Sequence, residues 1–427
     1  MRAVAALRDD GAITALNGIV RNDPEVTVKI AAVQALALLP AGRSEGRATL
    51  VAALRDPSPL VRRVAASAIG SLSLSDAAPD LLTAYRQERD PSVQQAVIYA
   101  VARIPHPPQQ TDTIEAVLLG AGRSDAVEVR EAAIFSLGSF SSPRALAMVR
   151  TALSDDNERV QGAAIQSTGR QRNAEAVPQL IPLLDDQRPG VRAAAVESLG
   201  RIGDRRAASP LVAKLNDQDE YVQKQAKRWL SALQANDELT QALQDPSAPV
   251  RLRAIETLAA GSAQVPVGAL IQALGDEDYD VRVAATALLS RTADDNDVGS
   301  IVQAIGGNDA RRQASALIVI GNLSGRFPPL NLATADSAIE TALRSPLNSS
   351  VRAEALRTAG RLGRPEWLGP ILSAVTAEDA SVRRAAAEAL GHYDTPDALA
   401  ALQRLVQDSA PDVQQAAIDS LRRLNRK

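Results

Sequence analysis

The sequence predicts an all-α chain built as a solenoid of about 13 two-helix repeats of roughly 31 residues, and three observations predict it. A segment of the form Asp-x-x-x-x-Val-Arg-x-x-Ala-x-x-x-Leu-Gly recurs from end to end, with residues 186–200 as one copy. Four residues after its Val, the anchor, stands Ala in twelve of thirteen copies, Val97 being the exception. Aromatics make up 2% of the 427 residues against 45% apolar, so the core must come from Ala, Leu, Val and Ile, which suits thin helical layers.

The anchor stands at Val28, Val61, Val93, Val129, Val160, Val191, Val222, Val250, Val281, Arg312, Val351, Val382 and Val413, and seven of the twelve intervals are 31 residues. Anchor, plus four and plus eight form an i, i+4, i+8 stripe, the buried face of the second helix of each repeat. Asp56-Pro57-Ser58-Pro59 and Asp245-Pro246-Ser247-Ala248-Pro249 place an oxygen-bearing cap beside a proline suited to the first helical turn. Gly follows the stripe at Gly70, Gly138, Gly169, Gly200, Gly321, Gly360 and Gly391, to allow close packing or to end the helix. A shorter apolar segment before each anchor, such as 176–184 or 398–405, supplies the first helix. One such pair cannot bury its own faces, and stacking makes a continuous core.

Directly after the anchor every copy carries a long hydrogen-bond donor, and six residues before that donor eight copies carry Asp. Asp23 and Lys29, Asp56 and Arg62, Asp186 and Arg192, Asp245 and Arg251, and Asp276 and Arg282 are examples. Acceptor in the turn and donor in the first helical turn predict a ladder of charge-assisted bonds between successive repeats. A pattern present in every layer is structural, since a catalytic site would occur once.

Plus two, plus six and plus ten are left on the exposed face, the expected concave surface. Plus six varies, as a recognition surface does, and includes Tyr99, Phe135, Glu197, Arg228 and Arg357. Plus ten is Arg at Arg103, Arg170, Arg201, Arg291, Arg361 and Arg423, either a guanidinium row facing an acidic partner or a set of cations paired to nearby acids, as Glu197 would pair Arg201. The candidate partner-binding residues are therefore Tyr99, Arg103, Phe135, Arg170, Glu197, Arg201, Arg228, Arg291, Arg357 and Arg361.

A formal charge of -3 argues against phosphate-neutralising nucleic-acid binding. The absence of cysteine excludes disulfides, thiolate metal sites and cysteine nucleophiles. No run approaches the ~18 apolar residues that span a bilayer. No catalytic set, cofactor motif or metal-ligand cluster stands out, and the expectation is a monomer that binds a protein partner. The compartment stays open, with the cytoplasm favoured.

Two intervals break the rhythm. One of 36 residues carries an insertion at 105–110, and one of 39 includes 321–332; both are expected to be loops. The second coincides with loss of the ladder acid at Gly307, Pro346 and Ala377. It suggests an N-terminal stack over 1–322, an irregular insertion over 323–334 with Phe327 plugging a seam, and a C-terminal stack over 335–427. Residues 2–7 resemble the later part of a second helix, so the chain is expected to start inside a repeat, and residues 422–427 supply a polar cap.

With its Asp-Pro-x-x-x-Val-Arg-x-x-Ala-x-x-x-Leu-Gly pattern, the chain resembles the HEAT-repeat superfamily, and specifically the short repeats of phycobilisome lyases. The resemblance implies a right-handed α-α superhelix (HEAT-like solenoid), with second helices lining a concave, protein-binding face. Deoxyhypusine hydroxylases of this architecture hold iron through His-Glu pairs, whereas His106 precedes Pro and His392 precedes Tyr here. The related alkylpurine DNA glycosylases are strongly basic, unlike this chain. A bilin lyase would need an aromatic patch, for which Tyr99 and Phe135 qualify. The resulting expectation is a non-catalytic protein-binding scaffold, with a bilin lyase-related pigment-handling protein as the alternative.

Overall fold

The computed structural model describes residues 11–39, 46–261, 265–326, 329–344 and 348–425, and among them every regular element is a helix. Residues 2–7, Phe327, Pro346 and Lys427, which carried expectations above, lie outside the described residues. None of the described helices is long and apolar enough to cross a membrane.

The second helices are 11–14 residues long and all thirteen fall on the anchors, for example Pro59–Ser71, Val127–Leu137, Glu158–Gln171, Pro189–Ile202, Ala248–Ala260, Tyr279–Thr292, Ala310–Leu323, Ser349–Leu362 and Ala380–Leu390. Their plus-four residue is 0% exposed in every repeat, Val97 included, so this position sets which way each helix faces. First helices are less regular. Val177–Leu180 passes into a 3-10 turn over Ile181–Asp185, where Pro182 lacks the N–H that an α-helix would use.

The glycine after the stripe is a packing residue. A Cβ on Gly169 would lie 2.9 Å from Ser198 Cα, and one on Gly360 would lie 2.6 Å from Ala389 Cα, both on the next second helix. The helices continue past these glycines to Gln171 and Leu362, so the alternative of a helix stop does not apply to them. At Gly138 and Gly391 the glycine does end the helix, as the C-cap of Val127–Leu137 and of Ala380–Leu390, while Pro189–Ile202 and Ser349–Leu362 end at Gly203 and Gly363 with φ of 77° and 64°. Opposite Gly169 and Gly138 stand serines whose hydroxyls use the approach. Ser198 Oγ donates to Ile165 O at 2.6 Å and Ser167 Oγ to Ile134 O at 3.1 Å.

Two local expectations need correction. Ser58 and Ser247 occupy N-cap positions but make no side-chain cap bond. Instead Asp56 Oδ1 accepts from Ser58 N at 2.9 Å, and Asp245 Oδ1 from Ser247 N at 2.8 Å. The carboxylate closes the turn two residues ahead of the cap, because Asp reaches its own i+2 amide. The insertion at 105–110 is not simply a loop, since Pro108–Gln110 start the 14-residue helix Pro108–Ala121. Pro108 fits a first helical position, and His106 stacks on Phe140 with centroids 6.2 Å apart.

Contacts gather the chain into two compact units, Met1–Lys214 with Gln218–Trp229, and Leu215–Asp217 with Leu230–Lys427. The insertion 323–334 lies inside the second. Across it the helices Ala310–Leu323 and Ser349–Leu362 keep the ordinary register, with Thr358 Oγ1 donating to Leu317 O at 2.8 Å and Arg361 Nη1 to Asn322 Oδ1 at 2.8 Å.

Candidate functional site

The buried stripe leaves plus six and plus ten of each second helix turned away from the core. In the first unit Tyr99 and Phe135, both partly exposed, meet edge-on with centroids 6.0 Å apart and planes at 77°. The Arg170 guanidinium carbon lies 4.0 Å from the Phe135 ring centre, a cation–π contact. From there a cleft of about 720 Å³ runs over Pro189, Ala193, Glu197 and Arg201 to Asp219 and Tyr221, which is 60% exposed. Arg103 and Tyr99 line a smaller groove of about 290 Å³ with Arg63.

Glu197 organises one wall of the larger cleft. It accepts from Arg201 Nε at 2.8 Å and from Trp229 Nε1 at 3.1 Å, while the Arg228 guanidinium lies 4.9 Å from the Trp229 ring. Burial pushes the Glu197 carboxyl up, but these two hydrogen bonds and the charges of Arg201 and Arg228 carry it below its usual range. Burial, helped by the charge of Arg201, lowers the Arg170 guanidinium from its usual value.

The second unit has its own cleft of about 630 Å³, lined by Tyr279, Arg282, Val283, Ala287, Arg311, Ile318 and Arg357 among others. Tyr279 and Val283 are 68% and 46% exposed. Tyr221, Tyr279, Val283 and Arg311 were not among the sequence candidates. The tyrosines stand just before their anchors, at the helix starts, and the periodic count along the exposed face passes over those positions. Scarcity of aromatics was the available signal, since five Tyr and three Phe in the chain make each exposed one informative.

Arginines of the plus-ten row bond within the stack. Arg170 Nη2 donates to the Phe135 carbonyl and to Ser167 Oγ, Arg291 Nη2 to Ala259 O at 2.9 Å, and Arg361 to Asn322. Each reaches the C-terminal end of the preceding second helix, where carbonyls lack intrahelical partners and the dipole favours a cation. Arg201 pairs with Glu197, and Arg357 at plus six pairs with Glu354 and Glu388. The first unit thus brings Tyr99, Phe135, Arg170, Glu197, Arg201 and Arg228 to one face, while Arg291, Arg357 and Arg361 belong to the second.

The turn acids and helix donors also meet between repeats. Lys29 pairs with Asp56 at 2.8 Å, Arg62 with Glu88 at 2.7 Å, Arg130 with Asp155 at 3.2 Å, Arg251 with Asp276 at 2.7 Å and Arg383 with Asp408 at 2.8 Å. Each donor reaches the acid of the following repeat rather than its own. It also bonds its own turn through backbone oxygens where it is Arg, as Arg192 does to Asp186 O at 2.9 Å. Asp23 Oδ1 accepts from Glu25 N at 2.9 Å, the turn half of the same arrangement. The hydrogen bond from Arg383 holds Asp408 below the usual carboxylate range, and that from Arg62 does so for Glu88. Asp276 is lowered as well, its burial outweighed by the bond from Arg251.

The family model described as HEAT repeats matches residues 13–102, 114–171, 151–231, 236–321 and 337–422. The chain belongs to the HEAT-repeat family. Among solved structures, its HEAT stack is similar to importin beta crystallised in polyethylene glycol, at 15% identity and a TM-score of 0.51, over 96% of this chain and 71% of that one. It is also similar to karyopherin Kap121p bound to the SUMO protease Ulp1p, at 14% identity and a TM-score of 0.51, over 97% of this chain. The HEAT chain spans about half of Kap121p, 53%. Comparison with curated protein sequences gives no match. Likenesses of this degree concern the fold, an all-α HEAT solenoid. Among the described residues of the HEAT stack, no group of three or more His, Asp or Glu is placed to hold a metal ion.

Proposed function

We propose that the chain is a non-catalytic protein-binding scaffold that holds a partner on the exposed face of its second helices. The observation that carries this reading is the cleft from Phe135 to Tyr221. It offers two exposed aromatics and a fixed guanidinium on a rigid helical surface, the composition that anchors protein partners. HEAT architecture supports it, since stacked pairs leave a long surface open, and Kap121p of the same fold holds a protein. Capture from the source organism, with the intact chain and with Phe135→Ala/Tyr221→Ala, tests it. A partner retained by the first and lost by the second at equal melting temperature is expected; identical captures defeat the reading.

A second reading is a pigment-handling protein of the phycobilisome-lyase type. The edge-on pair Tyr99–Phe135 with Arg170 above it favours this, since a conjugated tetrapyrrole needs aromatic walls and a cation for its propionates. Titration with biliverdin tests it, and an unchanged absorbance spectrum removes it.

A further inference from the structure

The ladder arginines with a bidentate acid share one pose. In each, Nη1 donates to the two turn carbonyls six and five residues back, at 2.8 and 3.0 Å for Arg62 and 2.8 and 3.2 Å for Arg251. Nε and Nη2 then form a fork on the acid of the following repeat, at 2.7 and 3.0 Å to Glu88 and 2.7 and 2.7 Å to Asp276. Arg130 and Arg383 repeat this arrangement on Asp155 and Asp408.

Arg282 takes the same hold on its own turn, Nη1 donating to Asp276 O at 2.9 Å and Glu277 O at 3.1 Å. The following repeat places Gly307 where the acid belongs, six residues before Gln313. Its fork has no hydrogen bond and no carboxylate within ion-pair distance among the described residues. Gly307 is exposed, and a Cβ there would meet only Ala304 O, at 3.4 Å, so side-chain space at this position is open. Arg352 also lacks an acid, Ala377 standing in its place, but turns Nε to Leu343 O at 3.1 Å. Arg282 alone keeps the ladder pose toward its turn with the fork unmet, among the described arginines of the ladder.

Arg282 also lines the 630 Å³ cleft of the second unit, beside exposed Tyr279 and Val283 and with Ile318 and Arg311. The Arg311 guanidinium has no acid within ion-pair distance among the described residues, while Glu354 is engaged by Arg357. The cleft therefore presents, next to apolar surface, two guanidinium groups that form no ion pair among the described residues.

We infer that this cleft binds an acidic segment of a partner protein, the carboxylate of an Asp or Glu seating on the Nε/Nη2 fork of Arg282 and a neighbouring apolar side chain lying against Val283 and Ile318. The inference rests on the scaffold reading and supplies the chemistry of one site on it. A guanidinium already held by two carbonyls loses little freedom on receiving a carboxylate, and the planar fork matches two carboxylate oxygens. The internal ladder pairs show the geometry such a ligand would complete.

A fluorescein-labelled peptide copying residues 243–250, the chain's own Asp-Pro-Ser turn, serves as probe, with a counterpart carrying Asn for Asp. The full chain is expected to bind the Asp peptide about tenfold tighter, the factor that ~1.4 kcal/mol gives. Arg282→Gln should erase that preference without lowering the melting temperature. Gly307→Asp should erase it too, by filling the fork from within, and raise the melting temperature. Equal binding of both peptides, no binding of the Asp peptide at millimolar concentration, or a preference that survives in both variants overturns the inference. Dimerisation abolished by Arg282→Gln would assign the cleft to a second copy and likewise overturn it. The capture experiment above uses Phe135 and Tyr221 instead, so failure of the scaffold reading shows separately.

Discussion

Arg251 and Arg282 stand at the same position of adjacent repeats and hold their own turns by the same two carbonyls. Arg251 closes on Asp276, with both side chains 9% exposed, whereas the repeat after Arg282 carries Gly307 at the position of that acid. One repeat spends its cation on holding the next layer, and its neighbour leaves the cation available. A regular scaffold can thus acquire a recognition site by deleting an acid, with no change to the arginine.

The comparison breaks most sharply on truncation. Arg251→Ala leaves Asp276 with its main partner removed and should cost about 3 kcal/mol in urea unfolding, whereas Arg282→Ala, which loses only the bonds to its own turn, should cost about 1 kcal/mol. Similar losses would show that the two arginines contribute alike. A smaller effect separates the glycines of the two regions. Gly360→Ala drives a methyl into Ala389 and should cost about 2 kcal/mol, while Gly307→Ala, facing open space, should leave the unfolding midpoint unchanged.

Acid provides a gentler probe. Glu88, Asp276 and Asp408 all lie below their usual values in the folded chain, so the folded state favours their ionised forms. Their stabilisation is complete above the unfolded value of about 4 and is lost as pH falls through the folded values. The urea midpoint should hold from neutral pH down to about 5 and then decline, less steeply in Arg251→Ala and with only a slight change of slope in Arg282→Ala, whose charge is a lesser cause of the lowering at Asp276. The smallest expected difference concerns the seam proposed at 323–334. A seam requires faster amide exchange in Ala310–Leu323 and Ser349–Leu362 than in Glu158–Gln171 and Pro189–Ile202, and equal exchange removes it.

The helix pairs were legible because periodicity is local: Ala164, Ala195 and Ala226 recur every 31 residues, and each marks a fully buried position. Phe135, Arg170 and Glu197 were legible as exposed positions of the same count. Tyr221 and Tyr279 were not, because they precede the stripe at helix starts and enter a cleft only when the next layer is in place. Ser58 shows the reverse error, a residue suited to capping that is left unused because Asp56 already closes the turn.

By itself the sequence determined the repeat length, the buried stripe and the donor that follows each anchor, all features spanning one or two helical turns. The tertiary structure decided which partner each polar group finds. Arg170 reaches back 35 residues to Phe135, Arg251 reaches forward 25 to Asp276, and Gly360 meets Ala389. Such pairings depend on how closely one layer approaches the next, which small residues permit and only packing completes.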